Sequence, residues 1–168
     1  MKKTIALVAV AALAGTAAAD SLTIDVSGIN SWGFQGDAQN ESLSVLLGAG
    51  STVTGISWDV NLTTVGISWA DENTMGFEGG ALEVMPGAGD AFTVINQNYS
   101  GSAGGVALSA DGVLDIEFYE VGFDDNAGAV DSYYEAGSTI TISGNFVPTP
   151  GSLAVLGLGG LVAGRRRR

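Results

Sequence analysis

The chain has 168 residues, with 18 Asp+Glu against six Lys+Arg, a formal net charge of −12, and neither histidine nor cysteine. That length suits one domain of ordinary size. The composition excludes disulfides, histidine metal sites, and catalysis by serine–histidine or cysteine–histidine pairs.

The chain opens on a secretory pattern. Met1-Lys2-Lys3 is a short cationic start, Thr4 to Gly15 is apolar, and Ala17-Ala18-Ala19 supplies the small residues that a signal peptidase needs. An Ala/Val/Leu helix behind two lysines has no polar face, and it stops where the acidic part begins. Residues 1–19 therefore read as a signal peptide, with Ala17 and Ala19 at the recognition positions and cleavage before Asp20.

From Asp20 onward the charge pattern is one-sided. Every carboxylate lies between Asp20 and Glu135, and no Lys or Arg occurs between Lys3 and Arg165. Residues 20–146 thus carry a charge of −18 and can form no internal salt bridge. They offer no Schiff-base lysine and no guanidinium clamp for phosphate. Nucleic acid and anionic lipid surfaces are disfavoured partners, because both need basic residues.

Alternation with a period of two marks the strands in this stretch. Leu22, Ile24 and Val26 make a first strand. Thr54, Ile56, Trp58, Val60 and Leu62 point one way, while Gly55, Ser57, Asp59 and Asn61 point the other. Trp58 reads as core. The tetrapeptide GISW occurs at Gly55–Trp58 and again at Gly66–Trp69, a spacing expected of adjacent strands. Trp69 lies beside Asp71, Glu72 and Asn73 near a loop, where an exposed indole could stack on a sugar. Ala91 to Ile95 reads as a short strand, Leu114, Ile116 and Phe118 as an alternating one, and Ile140, Ile142 and Phe146 as the last. The segments SGINSWG, ADENTMG, MPGAGD, NYSGSAGG and DDNAGAVD read as the gaps between them. The whole is an all-β domain, an antiparallel β-sandwich of jelly-roll type, flanked by the N-terminal signal helix and a short C-terminal apolar helix.

Within the domain, Asp124-Asp125-Asn126-Ala127-Gly128-Ala129-Val130-Asp131 is the densest group of oxygen ligands. Calcium takes six to eight oxygens, and an acidic loop turning at glycine can supply them. A β-loop calcium site through Asp124, Asp125, Asn126 and Asp131 therefore stands beside a plain solvated acidic turn. The spacing does not fit an EF-hand. Tyr133 and Tyr134 follow directly and join Trp69 as candidate sugar-stacking rings. The remaining catalytic option is a glycosidase-like carboxylate pair. Such pairs are unavoidable among 18 carboxylates, so their presence assigns no activity.

The C-terminal apolar run Leu153–Gly164 has twelve residues and would span about 18 Å as a helix, short of a bilayer core of roughly 30 Å. Such a marginal span suits a segment held briefly and then removed. The positive-inside rule keeps Arg165, Arg166, Arg167 and Arg168 cytoplasmic and the acidic domain outside.

The tail VPTPGSLAVLGLGGLVAGRRRR resembles a PEP-CTERM sorting signal, the tag of bacterial exosortase substrates. Pro148, Thr149 and Pro150 hold the tripeptide position, followed by Gly151, the apolar helix and the arginine cluster. Thr149 stands where the family pattern has glutamate. Val53 to Tyr134 also resembles a β module of other PEP-CTERM proteins, through TGISWDVNLTT, PGAGD, ADGVLDIEFYE and DDNAGAVD. The resemblance implies a surface or matrix protein processed by signal peptidase and an exosortase-type protease. It implies transient membrane contact through residues 147–168 and no known activity for the domain. The expected role is a non-enzymatic structural or adhesive one, with a calcium-dependent carbohydrate-binding module for extracellular polysaccharide as the rival reading.

Overall fold

The computed structural model describes residues 20–123 and 128–147, together with the backbone of residues 4–7. Among them, eleven strands follow in chain order: β1 (Thr4–Leu7), β2 (Asp20–Asp25), β3 (Asn30–Ser31), β4 (Ser42–Leu46), β5 (Thr52–Thr64), β6 (Asn73–Phe77), β7 (Leu82–Val84), β8 (Gln97–Gly104), β9 (Val113–Glu120), β10 (Ser132–Tyr134) and β11 (Thr139–Asn145). They form two sheets, one ordered β1-β4-β9-β6-β7 and the other β2-β11-β5-β10-β3 with β8 also on β5. All pairings are antiparallel except the parallel one between β1 and β4. Among the described residues no helix is long and apolar enough to cross a membrane. Where a signal helix is expected, Thr4–Leu7 is an edge strand; the rest of residues 1–19, and the sorting tail from Pro148, lie outside the described residues.

The second sheet is organised along β5. Leu62 has Gln97 of β8 on one edge and Tyr134 of β10 on the other, and β11 continues along the β10 edge from Asp59 to Thr52. The alternation sends Ile56, Val60 and Leu62 into the core, as the sequence predicts, with Ile24, Ile140 and Ile142 beside them. Thr54, assigned to the same face, is instead exposed, and Val53 is buried. The pairing with β11 shifts between Ser143 and Gly144, so one extra β5 residue is inserted there. A bulge inverts the side-chain parity beyond it. Gly144 permits the close approach: a Cβ there would sit 1.9 Å from the Thr52 carbonyl oxygen.

The first sheet contributes Leu43, Val45, Met75, Phe77, Leu114, Ile116 and Phe118 to the same continuous core. Between the sheets the rings of Phe118 and Tyr134 meet edge to face at 5.6 Å, a geometry that places the positive ring edge on the negative ring face.

Further sequence expectations change: ADENTMG, read as a gap, supplies Asn73–Gly76 of β6, and SGINSWG holds β3. Ala91–Ile95 is not a strand but an irregular segment, with Ile95 exposed. The neighbouring NYSGSAGG, read as a gap, supplies most of β8. Its small residues suit the space, because Trp58 lies across Gly101: a Cβ there would be 2.5 Å from Trp58 Cζ2. The second GISW copy, Gly66–Trp69, is a loop after β5 rather than an adjacent strand.

These contacts give a paired test. Gly101→Ala should lose about 1–3 kcal/mol, because the indole must move out of a packed position. Gly104→Ala, in the same strand with open space around its Cβ site, should be neutral or slightly stabilising. Urea unfolding of the two variants checks the contrast.

Candidate functional site

At the end of the sandwich where β5 runs out, three connections meet: residues 65–72, residues 85–96, and the described parts of the third, residues 121–123 and 128–131. The Val65 amide donates to the Asp131 carbonyl at 2.7 Å, Ala70 to Phe92 at 3.0 Å, and Val121 to Glu72 at 2.9 Å. These bonds tie the connections into one surface above a buried polar knot.

The knot centres on Glu120, only 1% exposed. It continues the inward face of β9 after Leu114, Ile116 and Phe118, so the alternation that fills the core also drives this carboxyl inward. Its Oε1 contacts the Ser31 hydroxyl and the Ser132 hydroxyl at 2.8 Å, and the two hydroxyls lie 2.7 Å apart. Asn73 Nδ2 donates to Ser132 Oγ at 2.7 Å, and Tyr134 OH donates to Asn73 Oδ1. The second oxygen, Oε2, is buried with no hydrogen bond to a described residue. Burial raises the Glu120 carboxyl to about 7; the serine hydrogen bonds oppose this, and the charges of Asp131 and Glu72 reinforce it. The contact geometry agrees with that upward shift. Two serine protons cannot serve three contacts, and a protonated Glu120 supplies the third.

Beside it, Asp131 is 1% exposed and its Oδ1 accepts from Ser68 Oγ at 2.9 Å, while Glu72 Oε2 accepts the Trp69 amide at 2.8 Å. Asp131 is thus a buried residue with local donors rather than part of an exposed turn. Asp124, Asp125 and Asn126, the other expected calcium ligands, lie outside the described residues. Among the described residues no three acidic side chains converge so as to hold a metal ion.

The three candidate stacking rings separate. Tyr134 is fully buried, with its hydroxyl on Asn73, which leaves it no face for a sugar and corrects its assignment. Tyr133, the alternate residue of β10, is half-buried. Trp69 is 44% exposed on the end loop. Phe92, which the sequence reading placed in a strand, is exposed in the adjoining loop. Trp69-Ala70-Asp71 runs antiparallel to Asp90-Ala91-Phe92, bonded from Ala70 N to Phe92 O at 3.0 Å and from Asp71 N to Asp90 O at 3.3 Å. That mirror order, aromatic–Ala–Asp against Asp–Ala–aromatic, was a usable signal in the sequence. Grooves of about 380 Å³ at Asn40, Ser42 and Asp115, and about 640 Å³ at Ser51, Val53 and Val106, include none of these residues.

A raised carboxyl makes a signed prediction. Between about pH 4.5 and 7 the folded chain holds one proton that the unfolded chain has released, so stability falls as pH rises through that window. The melting temperature should therefore rise on acidification from pH 8 to 5, by an amount worth on the order of 2–3 kcal/mol. Glu120→Gln, which keeps an acceptor without the charge, should flatten that dependence. An unchanged slope in calorimetry would assign it to other carboxylates.

No family model matches the chain, and no curated protein or solved structure matches it either. The charge pattern and the chemistry of this end surface are therefore what bear on function.

Proposed function

We propose that this is an exported, non-enzymatic surface or matrix protein, released from a precursor by processing at both ends. The observation that carries the reading is charge segregation: all six cations lie at the termini beside apolar runs, and none lies among residues 20–147. β2, which pairs with β11 in the second sheet, begins at Asp20, the expected first residue after signal-peptide removal. In the precursor, residues 1–19 would serve as the signal peptide and residues 147–168 as a sorting tail whose apolar helix rests briefly in the membrane. Signal peptidase would act before Asp20 and an exosortase-type protease near Pro148, Thr149, Pro150 and Gly151, with Arg165 to Arg168 as the retention signal. The two-sheet core would belong to the jelly-roll group of sandwiches.

The folded chemistry supports a non-enzymatic role. Among residues 20–147 no Lys, Arg, His or Cys is available, and Glu120, whose carboxyl burial raises to about 7, is sealed in the core. Intact mass of the exported protein should therefore run from Asp20 to a point between Pro148 and Gly151. An exported species still carrying Arg165 to Arg168 would overturn the reading. Arg165 to Arg168→Ala should release unprocessed protein.

A second reading, a calcium-supported carbohydrate-binding module, is favoured by the exposed Trp69 and Phe92. Calcium bound at the 124–131 loop should raise the melting temperature at constant ionic strength, and Asp124→Asn with Asp131→Asn should remove the effect. Equal responses to calcium, magnesium and matched sodium salt would leave only charge screening.

A further inference from the structure

The loop pair at the end of the sandwich combines two features that sequence patterning does not assign to each other. Trp69 and Phe92, on adjoining loops, are 44% and 54% exposed, and apolar groups gathered on one surface are a mark of a contact site. Next to them, on the same two backbone strips, lie Asp71 and Asp90, both half-buried. The bonds from Ala70 to Phe92 and from Asp71 to Asp90 hold the loop bearing Trp69 and Asp71 against the loop bearing Asp90 and Phe92. Asp90 is further fixed by Tyr99, whose hydroxyl donates to Oδ2 at 2.7 Å, and by the Phe92 amide, which donates to its carbonyl at 2.8 Å. Burial, and then the hydrogen bond and charge of Asp90, push the Tyr99 phenol far above its ordinary range, so it remains a donor. Asp71 Oδ1 is enclosed and accepts no hydrogen bond from a described residue.

We infer that this strap is a binding site for an amine-bearing polysaccharide, with sugar faces on Trp69 and Phe92 and ammonium groups at Asp71 and Asp90. The inference rests on the carbohydrate-binding reading and narrows its ligand class. Charge complementarity makes the choice. Residues 20–147 hold no Lys, Arg or His, so nothing there can neutralise a uronic acid, a sulfate or a phosphate headgroup. A second copy would bring another surface of like charge. An ammonium sugar meets the opposite situation: carboxylates accept its N–H groups, and exposed indole and phenyl faces attract both its C–H faces and its charge. The carboxylates also give a cost to the wrong ligand, because N-acetylation removes the charge they would otherwise pair with.

Isothermal titration of the purified full-length chain at about pH 6, with glucosamine hexasaccharide, its fully N-acetylated counterpart and hexalysine, tests the assignment. The glucosamine oligomer should bind at least tenfold more tightly than the acetylated one. Trp69→Ala with Phe92→Ala should weaken it at least tenfold. Asp71→Asn with Asp90→Asn should erase the preference for the free amine. Asp37→Asn with Asp111→Asn, an equal loss of charge at other sites, should leave binding unchanged. Equal binding of hexalysine, insensitivity to the ring substitutions, or an equal loss in the Asp37/Asp111 variant would overturn the proposal in favour of diffuse attraction. Tighter binding of the acetylated oligomer would overturn the amine assignment while leaving a neutral-sugar site. Because the titration is done in solution, its failure is separate from failure of the sorting reading, which the mass of the exported protein decides.

Discussion

Carboxylates without any cationic partner are the constraint on which this structure turns. Residues 20–147 contain no Lys, Arg or His, so every acidic group must be solvated, protonated, or held by neutral donors. Hydroxyls and amides take the place of cations throughout. Ser44 donates to Asp115 at 2.6 Å, Thr63 to Glu135 at 2.8 Å, Asn98 to Asp59 at 2.8 Å, and Tyr119 to Glu83 at 2.6 Å. Backbone amides serve as well: Gly36 donates to Glu117, and Ser27 to Asp25. Hydrogen bonds to a charged acceptor contribute about 1.5–3 kcal/mol each and do not require burial of a second ion. These donors are hydroxyls of Ser, Thr and Tyr, the Asn98 amide and backbone N–H groups.

The same constraint explains where the fold closes. Asp20 Oδ2 accepts the Phe146 amide at 3.0 Å, and Asp20 pairs with Gly144 across β2 and β11. The first and last parts of the sandwich are thereby tied at one end of β5, while the loops bearing Trp69 and Phe92 gather at the other. Glu120 is the place where neutral donors fall short. Two serines satisfy one of its oxygens, the other is enclosed, and the proton it retains near neutral pH is the remaining way to avoid a bare buried charge.

Parity was legible in the sequence wherever one face of a strand met the core. β2, β9, β11 and most of β5 follow their alternation, and the same rule carried to Glu120 would have marked it as an inward carboxyl. The pattern misled where side chains are small. β8 alternates Tyr99, Gly101 and Ala103 inward, with Gly101 giving way to Trp58; composition alone gives such a segment the look of a turn. Thr54 was misplaced because a bulge is set by the partner strand, and nothing local in TVTGISW announces it. Of the stacking candidates, Trp69 keeps its exposed face and Tyr134 does not, since their burial depends on which sheet or loop covers them rather than on neighbours in the chain.

By itself the sequence determined the charge segregation, the all-β character and the chemistries the domain lacks, because these follow from composition and from the two-residue period of a strand. Only the tertiary structure decided which carboxyl is sealed, which rings remain exposed, and that Trp69-Ala70-Asp71 lies against Asp90-Ala91-Phe92. These are contacts between residues about 20 positions or more apart. Local propensity carries no information about them; they arise when two sheets close over one core and bring separate loops to the same end.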